Sequence, residues 1–374
     1  MIKKALLPII AVMLMSLFSC KDSTIDPRVE LTSIPKYVYY TKIVNHTYPG
    51  YDFHQLRMID LATMEDKLLR DSSMILGIVN NKIYYQIPSD AFTTISLRRC
   101  DPDGENDEFL GSWSKQNMKW AILRVSGDGT KVLYYSQPAD KVILHCSNVD
   151  GTNDREIFTL RFGYHESADY HAAADFTSDS RSINILDLPD NLDPNDTGIN
   201  IYSCNTDGSG LKLISPLAGY SNALGSWSPN GQYLAYIALV DQNQPNNYKI
   251  SLFNLDTKKS KDINKDGNLT RNYVWSPNSR KIAYYQDAGK FFVMDADGSN
   301  RVQVTDLACS NDLWYFHPDW SKDGNYVVFQ TNVLTSGDVI YGSLKMVNLS
   351  TMEVKTLVAE ENVWNEFLLC DEAN

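Results

Sequence analysis

Three histidines, His165, His171 and His317, together with Tyr170, Tyr220, Trp314 and Tyr315, are the residues of this chain best suited to holding a ligand. Neutral imidazoles offer lone pairs to a divalent ion. Tyrosine and tryptophan present flat apolar faces with a polar edge, the surface on which sugars and peptides pack. The bland alternative has equal weight: tyrosine-rich loops are often aromatic through packing alone.

Other chemistry has less support. Asp101-Pro-Asp-Gly-Glu-Asn-Asp-Glu108 opens like a calcium loop. The same Asp-Gly recurs at the same register elsewhere in the chain, so a hairpin turn is the first reading and calcium the second. No Gly-x-Ser-x-Gly elbow is present, which sets nucleophilic hydrolysis aside. Beyond Cys20, the cysteines Cys100, Cys146, Cys204, Cys309 and Cys370 have no C-x-x-C spacing, which disfavours zinc or thioredoxin-like roles. Cys100, Cys146 and Cys204 fall near one point of three repeats and read as buried strand residues. A formal charge of −12 without a basic run argues against nucleic acid. No residue is assigned a catalytic role, and no cofactor is expected.

The elements that position these residues are repeats. Trp227-Ser-Pro-Asn-Gly-Gln-Tyr-Leu-Ala-Tyr, Trp275-Ser-Pro-Asn-Ser-Arg-Lys-Ile-Ala-Tyr and Trp320-Ser-Lys-Asp-Gly-Asn-Tyr-Val-Val-Phe each read as strand end, tight turn, apolar strand. Taking the first apolar residue after the turn as an anchor gives Val38, Ile83, Val132, Ile183, Leu234, Ile282 and Val327, spaced 45, 49, 51, 51, 48 and 45 residues apart. Seven positions before each stands a large apolar residue: Leu31, Leu76, Val125, Phe176, Trp227, Trp275 and Trp320. A period of this length with alternating Tyr, Val and Ile fits a four-stranded propeller blade. Asp103-Gly104, Asp150-Gly151, Asp207-Gly208, Asp256-Thr257 and Asp297-Gly298 are expected between the third and fourth strands, with Ala62-Thr63 and Ser350-Thr351 there in the end units.

These motifs resemble the TolB-like branch of bacterial propellers, with its W-S-P-D-G repeat, over about Leu31 to Leu369. The fold expected is all-β, a seven-bladed β-propeller, with six or eight blades as the neighbouring counts. Unit one lacks a convincing first strand, so Val363–Leu369 is expected to supply it and close the ring. TolB itself has a further N-terminal domain not seen here, so its place in a translocation complex does not carry over.

Residues 1–19 read as a lipoprotein signal peptide, with Lys3 and Lys4 ahead of an apolar run too short to span a bilayer well. Leu17-Phe-Ser-Cys20 resembles the bacterial lipobox, which implies lipidation of Cys20. Residues 20–33 then form the lipidated cysteine and tether, and 34–374 the propeller domain. Lys21-Asp22 resembles the export tag of surface-displayed lipoproteins in Bacteroidetes-type bacteria. The location expected is the outer membrane, facing periplasm or exterior, with the lipid as the sole membrane contact.

In a propeller the first-to-second and third-to-fourth turns share one face, and the longer connections share the other. The variable loops are Ile43–His54, Asp187–Ile199, Val240–Tyr248 and Val333–Tyr341, with the blade connections Leu160–Asp175, Ser215–Leu224 and Asp306–Pro318. Binding is expected on that side. His46, His54, His165, His171 and His317 map there, as do Tyr48, Tyr51, Tyr164, Tyr170, Tyr220, Trp314 and Tyr315. The reading is a noncatalytic, monomeric binding or scaffold protein for a protein or glycan. Its rival is a metal-dependent lyase. His317-Pro-Asp-Trp-Ser-Lys-Asp-Gly looks like a blade opening of the oligogalacturonate lyases, whose resemblance implies a metal held by His165, His171 and His317 and β-elimination. The chain departs from that family in having no histidine after His317.

Overall fold

The computed structural model describes residues 35–44, 53–89, 94–114, 124–136, 138, 141–161, 174–187, 199–217, 225–239, 248–264, 270–286, 290–305, 318–334, 340–360 and 364–372. Every one of these residues lies in the unit Pro35–Asn374. They form seven four-stranded antiparallel sheets and no helix.

Blade one contains β1 (Pro35–Val44), β2 (Phe53–Asp60) and β3 (Glu65–Asp71). Blade two is β4 (Met74–Val79), β5 (Lys82–Pro88), β6 (Thr94–Cys100) and β7 (Glu108–Ser114). Blade three is β8 (Arg124–Val125), β9 (Lys131–Ser136), β10 (Val142–Asn148) and β11 (Arg155–Leu160). Blade four is β12 (Ala174–Phe176), β13 (Ser182–Asp187), β14 (Ile199–Asn205) and β15 (Lys212–Leu217). Blade five is β16 (Ser226–Trp227), β17 (Tyr233–Leu239), β18 (Tyr248–Asn254) and β19 (Lys259–Asp262). Blade six is β20 (Thr270–Trp275), β21 (Lys281–Gln286), β22 (Lys290–Asp295) and β23 (Val302–Thr305). Blade seven is β24 (Asp319–Trp320), β25 (Tyr326–Leu334), β26 (Ile340–Asn348) and β27 (Val354–Glu360). The last strand, β28 (Trp364–Glu372), pairs with β1 and completes blade one, so the C-terminal segment closes the ring as expected.

All seven anchors are 0 % exposed. Strand alternation sends successive side chains to opposite sheet faces, and each face packs on a neighbouring blade to make seven separate apolar seams. Burying an aliphatic side chain this fully is worth about 1.5–3 kcal/mol, which is why the repeat keeps an apolar residue there. Two residues beyond the anchor, a tyrosine recurs and spans its own sheet. Tyr40 and Tyr85 donate to Asp66 at 2.7 Å and Asp107 at 2.6 Å, Tyr236 to Ser260 at 2.9 Å, and Tyr284 accepts from Arg301 at 2.7 Å. The phenol reaches water-facing polar groups on the outer strand while its ring stays in the seam.

The Ser-Pro-Asn-Gly turns are small hydrogen-bonded clasps. Ser126, Thr177, Ser228, Ser276 and Ser321 each donate a side-chain hydroxyl to the carboxylate or amide oxygen two residues on. Each hydroxyl oxygen also accepts the main-chain N–H five residues on, at 2.8–3.0 Å. Ser and Asp/Asn are needed because only short polar side chains close such a ring on their own backbone.

The structure corrects two details of the repeat. In unit two, Ile78 pairs with the anchor Ile83, so Ile78 and not Leu76 takes the position of the tryptophans. The turn there is shorter, with Asn80 and Asn81 both at positive φ (50° and 56°). The Asp256-Thr257 turn belongs with the end units and not with the Asp-Gly hairpins: the N–H groups of Met64, Lys258 and Met352 reach back four residues to Asp60, Asn254 and Asn348. Those three residues share φ of 57–61°. Leu31 and the segments 1–19 and 20–33 lie outside the described residues.

Candidate functional site

The innermost strands bring together a register-matched set of residues near the axis. Ile78, Val125, Phe176, Trp227, Trp275 and Trp320 pack into the seam with the preceding blade. The residue before each therefore turns the other way. These are Gly77, Arg124, Asp175, Ser226, Val274 and Asp319, all half-buried.

Two carboxyls in this set share one local geometry. Asp175 accepts the N–H of Phe176 at 2.8 Å, and Asp319 accepts that of Trp320 at 2.8 Å. Their electrostatics differ. Asp175 Oδ2 lies 3.6 Å from Arg124 Nε on the neighbouring blade. Burial raises its pKa, and the Arg124 charge draws it back down. The Asp175 side chain is 36 % accessible. Among the described residues no such cation faces Asp319: its Oδ2 is buried without a hydrogen-bond partner, and burial pushes the carboxyl up to about 7.

Blade three holds a second arrangement with chemical potential. Ser136 Oγ lies 2.7 Å from His145 Nε2, and Asp154 Oδ1 lies 3.4 Å from His145 Nδ1. The atoms are in the order of a Ser-His-Asp triad. Ser136 and His145 are each 8 % exposed, however, and the imidazole is stacked on Tyr134 at 4.7 Å. A hydrolase needs an open nucleophile and donors for an oxyanion. Here the imidazole serves as polar filling of the blade, stacked beside Tyr134, the tyrosine that holds the position two beyond the anchor.

Of the residues singled out in the sequence, His46, Tyr48, Tyr51, Tyr164, His165, Tyr170, His171, Tyr220, Trp314, Tyr315, His317 and Cys20 lie outside the described residues. His54 is half-buried on β2, opposite Ile43, at the end next to its loop. The stems of two variable loops are joined by an ion pair: Arg161, at the start of the connection carrying His165 and His171, binds Asp187, at the start of the Asp187–Ile199 loop, at 2.6 Å.

The acidic segment 101–108 is a hairpin in which the carboxylates of Asp101, Asp103, Asp107 and Glu108 are already engaged. Asp101 pairs with Lys82 and Asn106, Asp103 with the N–H of Glu105, Asp107 with Arg98 and Tyr85, and Glu108 with Arg99. Cys100, Cys146 and Cys204 are buried free thiols, which burial pushes up to about 11, 12 and 11. Cys146 sits one register step from the other two, opposite Leu133 and not the anchor Val132. Among the described residues no group of three or more His, Cys, Asp or Glu is gathered to hold a metal ion. Within the same residues no helix is long and apolar enough to cross a membrane.

The sequence reading passed over Arg124, Asp175 and Asp319. Their signal was available: aligning the repeats by anchor puts a polar residue before the large apolar one in units three, four, five and seven.

No protein-family model matches this chain, and no curated protein sequence matches it. Solved structures do share the fold. TolB from Acinetobacter baumannii is 16 % identical, with a TM-score of 0.50 over 88 % of this chain and 81 % of that one. A protein from Lactobacillus plantarum is 14 % identical, with a TM-score of 0.55 over 90 % and 99 %. An oligogalacturonate lyase in complex with manganese is 12 % identical, with a TM-score of 0.53 over 74 % and 79 %. At these identities the likeness is one of fold, and it supports a TolB-like propeller architecture.

Proposed function

We propose that this chain is a lipid-anchored, noncatalytic binding propeller of the bacterial envelope, capturing a protein or glycan on its loop-bearing face. The observation that carries this reading is the asymmetry between the two faces. The turns on one side spend their polar groups on themselves, through the serine clasps and Asp-Gly hairpins. The connections on the other side are long, varied and rich in His, Tyr and Trp, and function tends to sit on variable loops held by a rigid frame.

In this proposal His165, Tyr170, His171, Tyr220, Trp314, Tyr315 and His317 contact the ligand, and the Arg124–Asp175 pair lies deeper along the inner strands. Lipidation of Cys20 holds the protein at the outer membrane, on its periplasmic or outer side. The manganese-bound lyase shares the fold, and its chemistry stays the rival.

The test uses chain lacking residues 1–33 on a glycan array and in pull-downs, with His317→Ala/Trp314→Ala as the probe. Weakened capture supports the proposed face, and unaltered affinity moves the site elsewhere. In parallel, metal content is measured along with absorbance of unsaturated products from pectic oligomers. Stoichiometric metal with product formation replaces the binding reading with the lyase.

A further inference from the structure

The seam that closes the ring contains buried polar atoms that find no partner among the described residues. Asp319 on β24 pairs with Val328 on β25, so their side chains share one face of the blade-seven sheet. Gln330, two residues further along β25, projects from the same face. Val328 packs with Val38, Tyr40 and Ile59, which identifies that face as the one turned to blade one. Both β24 and β25 lie against β28, the strand that completes blade one.

Gln330 is 1 % exposed, and neither its amide oxygen nor its amide nitrogen has a hydrogen-bond partner. Asp319 Oδ2 is in the same state. One donor, one acceptor and one carboxyl oxygen thus stand on one sheet face at one seam. Leaving such groups unsatisfied is costly, and folds avoid it. In blade six the buried amide oxygen of Gln286 does find partners, accepting from Asn264 at 3.2 Å and from Arg301 at 2.7 Å.

Diagonal neighbours on paired strands stand roughly 7–8 Å apart, and Asp319 and Gln330 make no direct hydrogen bond to each other, so any link between them runs through an intervening small molecule. A guest able to donate to the Gln330 oxygen, accept from its nitrogen and do either with a carboxyl has the hydrogen-bonding chemistry of water. Burial holds Asp319 near the midpoint of its titration at neutral pH, so both its forms are within reach of such a guest.

We infer that the seam between blades seven and one is a built site for a small cluster of ordered water, bound jointly by Asp319 and Gln330, so that the ring closes on a hydrated polar plug. Buried water of this kind is part of a fold, typically making about three hydrogen bonds.

A crystal structure of the protein at a resolution that shows ordered solvent tests this directly. The expected result is solvent within about 2.7–3.2 Å of both Asp319 and Gln330. A dry seam, a direct carboxyl–amide contact or a metal ion there overturns it. Stability gives a second readout through Gln330→Met, Asp319→Leu and their combination, with Asp319→Asn as the conservative variant. A shared guest makes each apolar single change lower Tm by a few degrees, with a combined loss smaller than the sum and Asp319→Asn close to the parent. If the groups are simply orphaned, the apolar changes raise Tm additively, and the inference is wrong.

Discussion

Arg161 lays its guanidinium on Asp187 across the seam between blades three and four, with Nε 2.6 Å from Oδ2. The Arg161 main-chain N–H adds a bond to Oδ1 at 2.9 Å, and Nη2 adds one to the Asp187 carbonyl at 3.0 Å. Asp187 is 1 % exposed in its side chain and Arg161 33 %.

Removing the cation leaves a buried carboxylate without its main counter-charge. Arg161→Ala is expected to cost about 3 kcal/mol, measured by denaturant unfolding. Asp187→Asn, which removes the buried charge together with the pair, should cost less. Because the pair ties together the stems of two variable loops, Arg161→Ala should also weaken ligand capture.

The tryptophans of the repeat differ in one bond. Trp275 donates its indole N–H to the Ser226 carbonyl of the preceding blade at 3.1 Å, and Trp320 to that of Val274 at 3.3 Å. Trp227 Nε1 has no partner. Replacing each by phenylalanine removes a similar volume, so the difference isolates the hydrogen bond. Trp275→Phe should cost about 1 kcal/mol more than Trp227→Phe. Equal losses in thermal unfolding would show that the inter-blade bond contributes nothing.

Asp319 should make stability depend on pH with an unusual sign. Its folded pKa, about 7, lies above the ordinary carboxylate value. The folded protein therefore binds more protons than the unfolded chain across the window from about 4 to 7. The contribution is fully present below that window and is lost as pH rises through 7, by up to about 1.4 kcal/mol per unit. Asp319→Asn, a neutral mimic, should flatten this part of a Tm–pH profile; an unchanged slope assigns the titration to another group.

Two glycines at positive φ give an internally controlled pair. A Cβ at Gly298 (φ +87°) would come within 2.3 Å of the Ile263 carbonyl oxygen, whereas one at Gly231 (φ +71°) meets nothing within 4 Å. Gly231→Ala should therefore cost only the left-handed backbone penalty, about 1–2 kcal/mol. Gly298→Ala must also displace main chain in blade five, so its midpoint in denaturant should be clearly lower.

Ending the chain after Val363 deletes β28 and uncovers the full edge of β1, from Pro35 to Val44. An open edge strand invites pairing with other chains. The truncated protein is expected to lose its cooperative melting transition and aggregate. A monomer that melts like the parent would show that ring closure is dispensable.

The fold was largely legible in the residues because each blade repeats the same local physics. The turn chemistry at Ser228 or Ser276 and the apolar alternation after it need no distant information. The closing role of the C-terminal segment followed from an unpaired edge. Unit two misled because its turn is two residues shorter, and only pairing partners reveal that Ile78 and not Leu76 meets Ile83. The Asp256-Thr257 turn misled because its left-handed position falls on Lys258 and not on glycine.

The periodic sequence by itself determined the all-β propeller architecture and pointed to seven blades, with six or eight as neighbouring counts, since these depend on short-range turns and alternation. Tertiary structure decided which side chains from different blades meet, as Arg161 does with Asp187 and Arg124 with Asp175. Those encounters join residues far apart along the chain, and whether a carboxyl finds a cation or is left in an apolar wall is set by how the ring brings neighbouring sheets together.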